Sequence, residues 1–214
     1  MPRPSQNTDQ RLVETALQVL RKSGLSGLKL RDVAKEAGVN LGMFHYHFKT
    51  KEAFTRRVLQ EVYEKFFREF SLETSKDGSS LEKLRAALVA LGKFSLDNRR
   101  MILGILHDVV GKDRVVLEFV KENLPRHGLV IVELVRKCQK EGSLRKLSLP
   151  TVMPFLMGSV ALPTLVLAML EHLEVKSIRF VPFVLIKREL ASEKTIVARV
   201  DLALSALAPG KGRG

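Results

Sequence analysis

The hydrophobic residues of this 214-residue chain recur at helical spacing from its first apolar segment onward. Between Thr8 and Lys22 they lie three or four positions apart, which places them on one face of a helix. These positions are Leu12, Val13, Ala16, Leu17 and Leu20. The segment stops at "SGLSG", where two glycines favour a turn. The pattern therefore predicts a first amphipathic helix.

Two shorter helical segments follow, separated by a tight turn. The pattern predicts a helix from Arg31 to Ala37, after which Gly38 can adopt the left-handed conformation that ends a helix. Asn40 is then placed to cap a third helix, Leu41 to Phe48, by accepting an amide hydrogen bond. Thr50 is the corresponding cap for a long fourth helix, which we expect to continue to about residue 74.

A polar cluster, "SKDGSS" at residues 75–80, predicts the boundary between two domains. We assign residues 8–57 to the first domain, with its fourth helix continuing beyond it, and residues 76–208 to the second. The stretch "SSLE" at Ser79 to Glu82 predicts a capping box that opens the next helix. The ends, 1–7 and 209–214, are predicted to be a disordered arm and tail.

Within the second domain we predict helix breaks near Asn98, Gly111 and Pro125, and a long helix over about 126–141. Its last two helices are predicted over about 150–173 and 192–207. The one alternating run, "RFVPFVLIK", contains Pro182, which argues against a central strand. The chain is therefore predicted to be all-α, with a three-helix N-terminal domain and a larger helical domain.

Residues 149–170 carry no charged side chain and form a segment long enough to span a bilayer as a helix. The alternative is a helix buried on all sides by a helical core or a subunit interface. Pro150, Pro154, Pro163 and Gly158 weaken the membrane interpretation, and no aromatic belt flanks the segment. We therefore interpret it as a buried helix and predict no membrane span.

The charge of the chain points to a polyanionic partner. Lys and Arg number 36 against 23 Asp and Glu, so the formal net charge is +13. Such an excess favours nucleic acid or an anionic membrane surface as partner. Cys138 is the only cysteine, so a disulfide framework is excluded. Its role is either structural or that of a redox sensor. The start, "MPRPSQNTDQ", lacks the apolar core of a signal peptide. We therefore expect a cytoplasmic protein.

Two short helices joined by a glycine turn, with a bracing helix before them, are typical of a helix-turn-helix unit. The second short helix of such a unit enters the DNA major groove by its N-terminal end. Val39, Phe44 and Phe48 are predicted to face the core. Lys49 and Lys51 lie where backbone amides and the helix dipole favour a phosphate. The flanks and outer face of the recognition helix are predicted to comprise Asn40, Leu41, Gly42, Met43, His45, Tyr46 and His47.

The segment "LKLRDVAKEAGVNLGMFHYHFKTKEAF" resembles the DNA-binding segment of the TetR family of bacterial transcriptional regulators. The resemblance covers about residues 8–57 and extends weakly, through length and helix count, to the rest. It implies a homodimer whose variable helical domain binds a small molecule and dimerises through its last two long helices. It also implies that Tyr46 and His47 lie in the recognition helix and that Lys51 contacts phosphate.

Two positions depart from the usual pattern of the family. Lys29 stands where a threonine is common, and His45 stands where a tyrosine is common. Lys29 could still reach a phosphate, and we include it with Arg31 among the predicted DNA contacts. His45 leaves the tyrosine-to-backbone contact in doubt.

The chain carries no signature of a metal site or of catalysis. His45 and His47 are two residues apart and therefore diverge by about 200° on a helix. Helical metal pairs need a spacing of three or four residues. The sequence also lacks the nucleophile elbow, the phosphate-binding loop and the dinucleotide fingerprint. We therefore predict neither an enzyme nor a cofactor.

Several apolar or polarizable residues of the second domain are candidates to line a ligand cavity, although such residues also fill cores. The candidates are Met101, Ile105, His107, Phe119, Phe155 and Met169. The absence of charge over 149–170 favours a hydrophobic ligand.

Two functions remain open. The favoured one is a sequence-specific DNA-binding regulator, a repressor released from a palindromic operator by a small hydrophobic ligand. It would dimerise through the 150–173 and 192–207 helices. The alternative is a hydrophobic-ligand carrier or membrane-surface protein whose basic charge meets anionic lipid. The helix-turn-helix motif favours the first, because a carrier has no need of a glycine turn followed by an exposed helix N-terminus.

Overall fold

The computed structural model describes residues 8–210 and is built almost entirely from α-helices. They are α1 (Thr8–Ser23), α2 (Leu30–Glu36), α3 (Leu41–Phe48), α4 (Lys51–Ser75), α5 (Ser80–Asp97), α6 (Arg99–Val110), α7 (Arg114–Lys140), α8 (Leu149–His172), α9 (Phe183–Leu190) and α10 (Glu193–Leu207). A 3₁₀ turn, Leu25–Gly27, joins α1 to α2. The all-α prediction is confirmed. The predicted arm and residues 211–214 of the predicted tail lie outside the described residues.

The chain divides into two compact units, each made of two segments. Within the described residues, the first unit contains 8–65 and 100–123, and the second contains 66–99 and 124–210. Helices α4 and α7 each contribute residues to both units. The domain limits drawn from the sequence, 8–57 and 76–208, stay predictions.

The core of the first unit forms where the apolar faces of α1, α2 and α3 meet. Leu12 and Ala16 of α1 are fully buried, as are Val33 of α2 and Phe44 of α3. Burying such side chains stabilises a small domain by about 1.5–3 kcal/mol for each large residue. The stripe predicted for the first helix is therefore the one that forms the core.

Two further helices complete the first unit. At the end of α1 the guanidinium of Arg100 in α6 donates to the carbonyl of Lys22. Gly104 of α6 lies against Leu25, and an added Cβ would come within 3.3 Å of the Leu25 side chain. From α7, the backbone carbonyl of Asn123 accepts a hydrogen bond of 2.6 Å from the Tyr63 hydroxyl of α4.

The second unit is organised around α5, α8 and α10. These helices approach closely at Gly92 of α5, where an added Cβ would lie 2.6 Å from Ile196 Cγ2 and 3.3 Å from Val160 Cγ1. Only glycine permits this spacing, since a Cβ contact under about 3 Å forces neighbouring atoms to shift. A side chain at position 92 would therefore push the three helices apart.

Two predicted helix starts in the second unit are confirmed by their cap geometry. Ser79 and Glu82 form a complete capping box at the start of α5. The hydroxyl of Ser192 accepts from the amide of Thr195 at 3.0 Å and so caps α10. These bonds satisfy amides that have no partner inside the helix.

The predicted helix break at Pro125 is wrong. Helix α7 continues through Pro125, as α8 continues through Pro154 and Pro163. A proline removes one backbone donor and crowds the preceding turn, but tertiary contacts can hold the helix together. In α7 such contacts lie in that turn, where Asn123 bonds to Gln60 and Tyr63 of α4.

The segment between α8 and α10 also differs from expectation. It contains two-residue antiparallel strands, β1 (Ser177–Ile178) and β2 (Val181–Pro182), followed by α9. The prediction that this run forms no central strand agrees with the structure, because Pro182 pairs only at the end of a hairpin. Helix α9 was not predicted, because its first residues belong to the alternating run, which does not have the spacing of a helix.

Helix α8 is long and apolar enough to cross a membrane by length and composition, alone among the helices of the described chain. A core helix of a soluble protein passes the same test. One face of α8, including Leu156, Val160 and Leu167, is buried in the second unit. The opposite face exposes apolar side chains, so within one chain the helix is not covered on every side as predicted. We call this exposed set, Phe155, Leu162, Val166 and Met169, the α8 stripe.

Candidate nucleic-acid interface

The turn between α2 and α3 depends on Gly38. Its φ of 63° lies in the left-handed region, where a side chain would be strained. The amide of Val39 donates back to the carbonyl of Ala34 at 2.9 Å, which closes the end of α2. Arg11 of α1 donates to the carbonyl of Ala37 at 2.6 Å and ties the turn to the first helix. The chain direction therefore changes at a fixed angle within three residues.

The N-terminus of α3 is capped by a side chain and is exposed to solvent. The side-chain oxygen of Asn40 accepts from the amide of Gly42 at 2.8 Å, as predicted for an N-cap. Asn40 and Gly42 are both exposed. An added Cβ on Gly42 would contact nothing but the Asn40 side chain. Another molecule can therefore approach the N-terminus of α3 closely.

Three phenylalanine rings hold α3 against α4. The ring centroids of Phe44 and Phe48 lie 5.4 Å apart, and each lies 4.8 Å from the ring of Phe54 in α4. Edge and tilted contacts of this kind add about 0.5–1.5 kcal/mol per pair to the burial of the rings. The predicted core positions Phe44 and Phe48 are thus fixed by a third ring from the next helix.

The other side chains of α3 point away from this aromatic cluster to different degrees. Tyr46 is 66% exposed, and His45 is exposed beside it. Leu41, Met43 and His47 are half-buried. The Nε2 atom of His47 is shielded from solvent and has no hydrogen-bond partner in the described chain. The exposed surface of α3 is therefore formed mainly by Gly42, His45 and Tyr46.

The junction between α3 and α4 is unusually tight. Lys49 has a φ of 57° and a ψ of −53°, and the amide of Thr50 donates to the carbonyl of Phe48 at 2.5 Å. This is a three-residue γ-turn of the strained type. Thr50 then caps α4 by accepting from the amide of Ala53 at 3.1 Å. The turn places two exposed lysines, Lys49 and Lys51, at the start of α4.

Two further cations flank the start of α2. Lys29 occupies the N-cap position of α2 but makes no side-chain cap bond, and Arg31 lies in the first turn. Both side chains are exposed. Helix N-termini and free cationic side chains suit phosphate oxygens. The starts of α2 and α4 therefore each offer an amide end together with a cation.

The candidate ligand residues do not share one environment. Met101 of α6 and Phe119 of α7 are buried and belong to the first unit. Phe155 and Met169 belong to the second unit and are exposed on the α8 stripe. Ile105 is half-buried, and the ring of His107 is exposed and bonded to Asp108.

Two residues that position the interface were not identified from the sequence. Arg11 braces the turn, and Phe54 completes the aromatic cluster. Phe54 carried a local signal, since it lies one turn into the helix that follows Phe48. No local sequence signal indicated Arg11, because its hydrogen bond joins residues 26 positions apart.

The family profile described as "Bacterial regulatory proteins, tetR family" matches residues 12–58, from α1 into the start of α4. The HTH-type transcriptional repressor DhaR of Mycobacterium sp. (strain GP1) is 34% identical over 127 residues, which cover 52% of this chain and 61% of that protein. Residues 12–58 therefore form a DNA-binding domain of the TetR family. The chain is a helix-turn-helix transcriptional regulator.

Solved structures extend the likeness in fold to the second unit. A transcriptional regulator from Saccharomonospora viridis, in complex with choline, superposes with a TM-score of 0.71 over 96% of this chain and all of that one (100%), at 16% identity. FadR from Bacillus subtilis, in complex with stearoyl-CoA, gives a TM-score of 0.67 over 95% of this chain and 99% of that one, at 15% identity. At such identities the likeness concerns the fold alone.

Proposed function

We propose that the protein is a non-enzymatic repressor that binds a palindromic operator as a homodimer and is released by a small hydrophobic ligand. The observation that carries the proposal is the capped, open N-terminus of α3, held against α4 by buried aromatic rings. A hydrophobic-ligand carrier would have no use for this arrangement. We propose that it acts in the cytoplasm, together with the DNA.

The exposed cations at the starts of α2 and α4 are proposed to contact the DNA backbone. Phosphate contacts supply affinity and register without sequence information. The proposed set is Lys29, Arg31, Lys49 and Lys51.

The first turn and outer face of α3 are proposed to contact base edges. Leu41 is suited to the methyl group of thymine, and polar side chains are suited to hydrogen-bonding base edges in the major groove. Gly42 allows the helix start to approach the groove closely. The proposed set is Asn40, Leu41, Gly42, Met43, His45, Tyr46 and His47.

Lys51→Ala tests the assignment of α4 to the phosphate backbone. We expect weaker binding to random duplex and to a palindrome from the intergenic region beside the gene, by a similar factor. The slope of log affinity against log salt should fall by about 1, because one phosphate contact is lost. Fluorescence anisotropy over a salt series measures both quantities.

Lys140→Ala is the matched control, since Lys140 is an exposed lysine at the end of α7. It should leave both affinity and salt slope unchanged. A Lys51→Ala protein with altered sequence preference and an intact salt slope would contradict the assignment. Absence of any duplex binding by the unmodified protein at low salt would contradict the DNA-binding function itself.

The α8 stripe and the outer face of α10 are proposed to form the dimer interface with a second copy. TetR-family regulators work as dimers, and an isologous interface uses the same patch on both subunits. The stripe is apolar along its length, and α10 adds the exposed Leu202. Joining two copies through these faces would cover the side of α8 that one chain leaves open.

The ligand signal is proposed to reach the DNA-binding helices through α7 and α4. Within the first unit, Arg56 of α4 bonds to Glu118 at 3.2 Å and to Glu122 at 2.6 Å, both on α7. Helix α7 continues past Pro125 into residues of the second unit, and α4 begins at Lys51. A change in α7 would therefore displace α4 and alter the spacing of two recognition helices, which must sit about 34 Å apart.

The candidate ligand residues remain a proposal within this scheme. Met101, Ile105 and Phe119 lie on α6 and α7, the helices that contact α1 and α4 in the first unit. A ligand moves the equilibrium only if it binds one arrangement more tightly than the other. Known couplings of this kind amount to about 1–3 kcal/mol.

A further inference from the structure

A buried guanidinium on α10 has no partner in the described chain. The three nitrogens of Arg199 are shielded from solvent, and no described residue accepts a hydrogen bond from any of them. The residue as a whole is half-buried, so its accessible part is the aliphatic stem. Arginine usually covers its stem and keeps its charged head in water. Arg199 shows the reverse arrangement.

An unpaired charge in this position is strongly unfavourable. Burial lowers the pKa of the Arg199 guanidinium, yet an arginine stays protonated in proteins. A buried charge is normally paired with an opposite charge or bonded to polar groups. The position of Arg199 therefore calls for an anion.

The acidic side chains of α10 itself form ion pairs with α5, on a different side of the helix from Arg199. Glu193 pairs with Lys93 at 2.5 Å, and Asp201 pairs with Arg85 at 2.5 Å, both on α5. Residues two apart on a helix diverge by about 200°. Arg199 therefore points away from the side on which Asp201 meets α5.

Two contacts show which part of α8 lies at the same height as Arg199. The amide of Arg145, just before α8, donates to the carbonyl of Leu207 at the end of α10 at 2.8 Å. At Gly92, Val160 of α8 and Ile196 of α10 come together. The two helices are thus antiparallel, and equal rise per residue places Arg199 level with the turn around Leu156.

That part of α8 offers no anion. Residues 149–170 contain no charged side chain. The first acid of α8, Glu171, already accepts hydrogen bonds from Arg99 and Lys187. The part of α8 level with Arg199 therefore carries no charged side chain.

We propose that Arg199 binds the carboxylate of a small-molecule ligand whose remaining part is apolar. A guanidinium donates two parallel hydrogen bonds to the two oxygens of a carboxylate, which a single-point cation cannot do. The uncharged turns of α8 suit the apolar part, since ligand sites combine a few polar anchors with hydrophobic walls. This inference rests on the proposed ligand-responsive function and specifies the chemical class of the ligand.

The ligands seen in the two similar structures differ in charge. Choline is a cation, which Arg199 would repel, whereas stearoyl-CoA joins an acyl chain to negatively charged groups. The charge of Arg199 thus favours an anionic amphiphile over a quaternary ammonium compound.

Calorimetric titration of the full chain with decanoate, decanol and inorganic phosphate tests the proposal. We expect decanoate to bind at least about tenfold more tightly than decanol, because the charged hydrogen bonds are lost with the alcohol. Phosphate should bind more weakly than decanoate, because it lacks the apolar part. Arg199→Met should weaken decanoate binding at least about tenfold and leave decanol binding unchanged.

Two further variants control the result. Lys194→Met removes one charge from the exposed start of α10 and should leave decanoate binding unchanged. Arg199→Lys keeps the charge but loses the two-pronged donor, so an intermediate loss is expected. Circular dichroism and the melting temperature of ligand-free Arg199→Met report its folding. We expect a melting temperature no lower than that of the unmodified protein, because the variant no longer buries an unpaired charge.

Three results would overturn the inference. One is equal decanoate affinity in Arg199→Met and the unmodified chain. Another is an unmodified chain that binds decanoate no better than decanol or phosphate. The third is altered dimer dissociation with unchanged decanoate binding, which would assign Arg199 to an acid of a second copy. Duplex binding, measured without ligand, tests the DNA-binding function separately.

Discussion

At the scale of single residues, Lys49 combines backbone strain with a proposed phosphate contact. A non-glycine residue at φ 57° and ψ −53° occupies a sparsely populated region of backbone space. Such strain costs about 1–3 kcal/mol and persists when neighbouring structure enforces it. Here the rings of Phe48 and Phe54 fix one side and the Thr50 cap fixes the other. The strained turn presents the Lys49 side chain at the start of α4.

Lys49→Gly is expected to change stability and DNA affinity in opposite directions. The free energy of unfolding should rise by about 1 kcal/mol. Relief of the backbone strain stabilises the folded state, and the greater conformational entropy of glycine in the unfolded chain offsets part of this gain. Affinity for any duplex should fall, with a salt slope reduced by about 1. Urea denaturation and anisotropy measure the two effects.

Lys49→Ala separates the two causes, since it removes the charge and retains the strained backbone. Its DNA affinity should fall as in Lys49→Gly, without the gain in stability. A gain of equal size in both variants would show that the lysine side chain, and not the backbone angle, is unfavourable.

At the scale of elements, Glu171 connects three parts of the second unit. Its carboxylate lies near the end of α8 and is 4% exposed. Burial acts to raise its pKa, but hydrogen bonds of 2.8 Å from Arg99 and from Lys187 of α9 outweigh this and lower the pKa to about 2. The carboxylate thus joins α8 to the α5–α6 junction and to α9.

Glu171→Gln should lower the free energy of unfolding at neutral pH by on the order of 3 kcal/mol, judged from the shift in the pKa of Glu171. The folded pKa lies below the ordinary value near 4.5, so the unfolded chain takes up the proton first as pH falls. The stabilisation is therefore complete above about pH 4.5 and is lost towards pH 2.

Urea denaturation at several pH values from 2 to 7 measures this effect. The variant should show a flatter acid limb than the unmodified chain. Glu189→Gln, at an exposed carboxylate of α9, is the matched control and should shift stability by less than about 0.5 kcal/mol. Equal acid sensitivity in the unmodified and Glu171→Gln proteins would contradict the role of the ion pairs.

At the scale of the whole molecule, a single chain leaves the apolar α8 stripe uncovered. Its four apolar side chains recur at spacings of seven, four and three residues, which follow one side of a helix. Contiguous apolar surface of this kind marks an interaction site. A second copy of the same helix is the partner that the proposed dimer supplies.

Leu162→Glu should dissociate the dimer while leaving each subunit folded. Leu162 is 58% exposed in the single chain, so glutamate there would remain hydrated in a monomer, but two buried glutamates would be strongly unfavourable in a two-fold interface. Sedimentation velocity and circular dichroism distinguish dissociation from unfolding. Binding to a palindromic operator should weaken with dissociation.

Leu129→Glu provides the control, because Leu129 is a leucine of similar exposure, 61%, on α7. It should remain dimeric and bind DNA normally. A dimeric Leu162→Glu protein would show that the subunits associate through another surface.

The recognition segment could be predicted almost completely from the sequence, because its determinants are local. Gly38, Asn40 and Thr50 each act through bonds to residues at most five positions away. Apolar spacing identified the side of α3 that faces the core. Interactions between residues close in sequence thus specified the caps, the turn and the start of α3.

Longer-range features could not be predicted in this way. Helix α7 continues through Pro125 with the support of residues about 60 positions earlier, such as Tyr63. The ion pairs of Glu171 join positions 72 residues apart in one case. The period and spacing of apolar residues carry no information about such partners.

The sequence by itself therefore determined the all-α class and the helix-turn-helix, because turns, caps and amphipathic periods act within a few residues. Only the tertiary structure decided which side of α8 is covered and where Arg199 lies. Burial of a side chain depends on which helices pack around it, and a charge at a helical position looks the same in sequence whether it is solvated or enclosed. For Arg199 that difference separates an ordinary surface cation from a proposed ligand anchor.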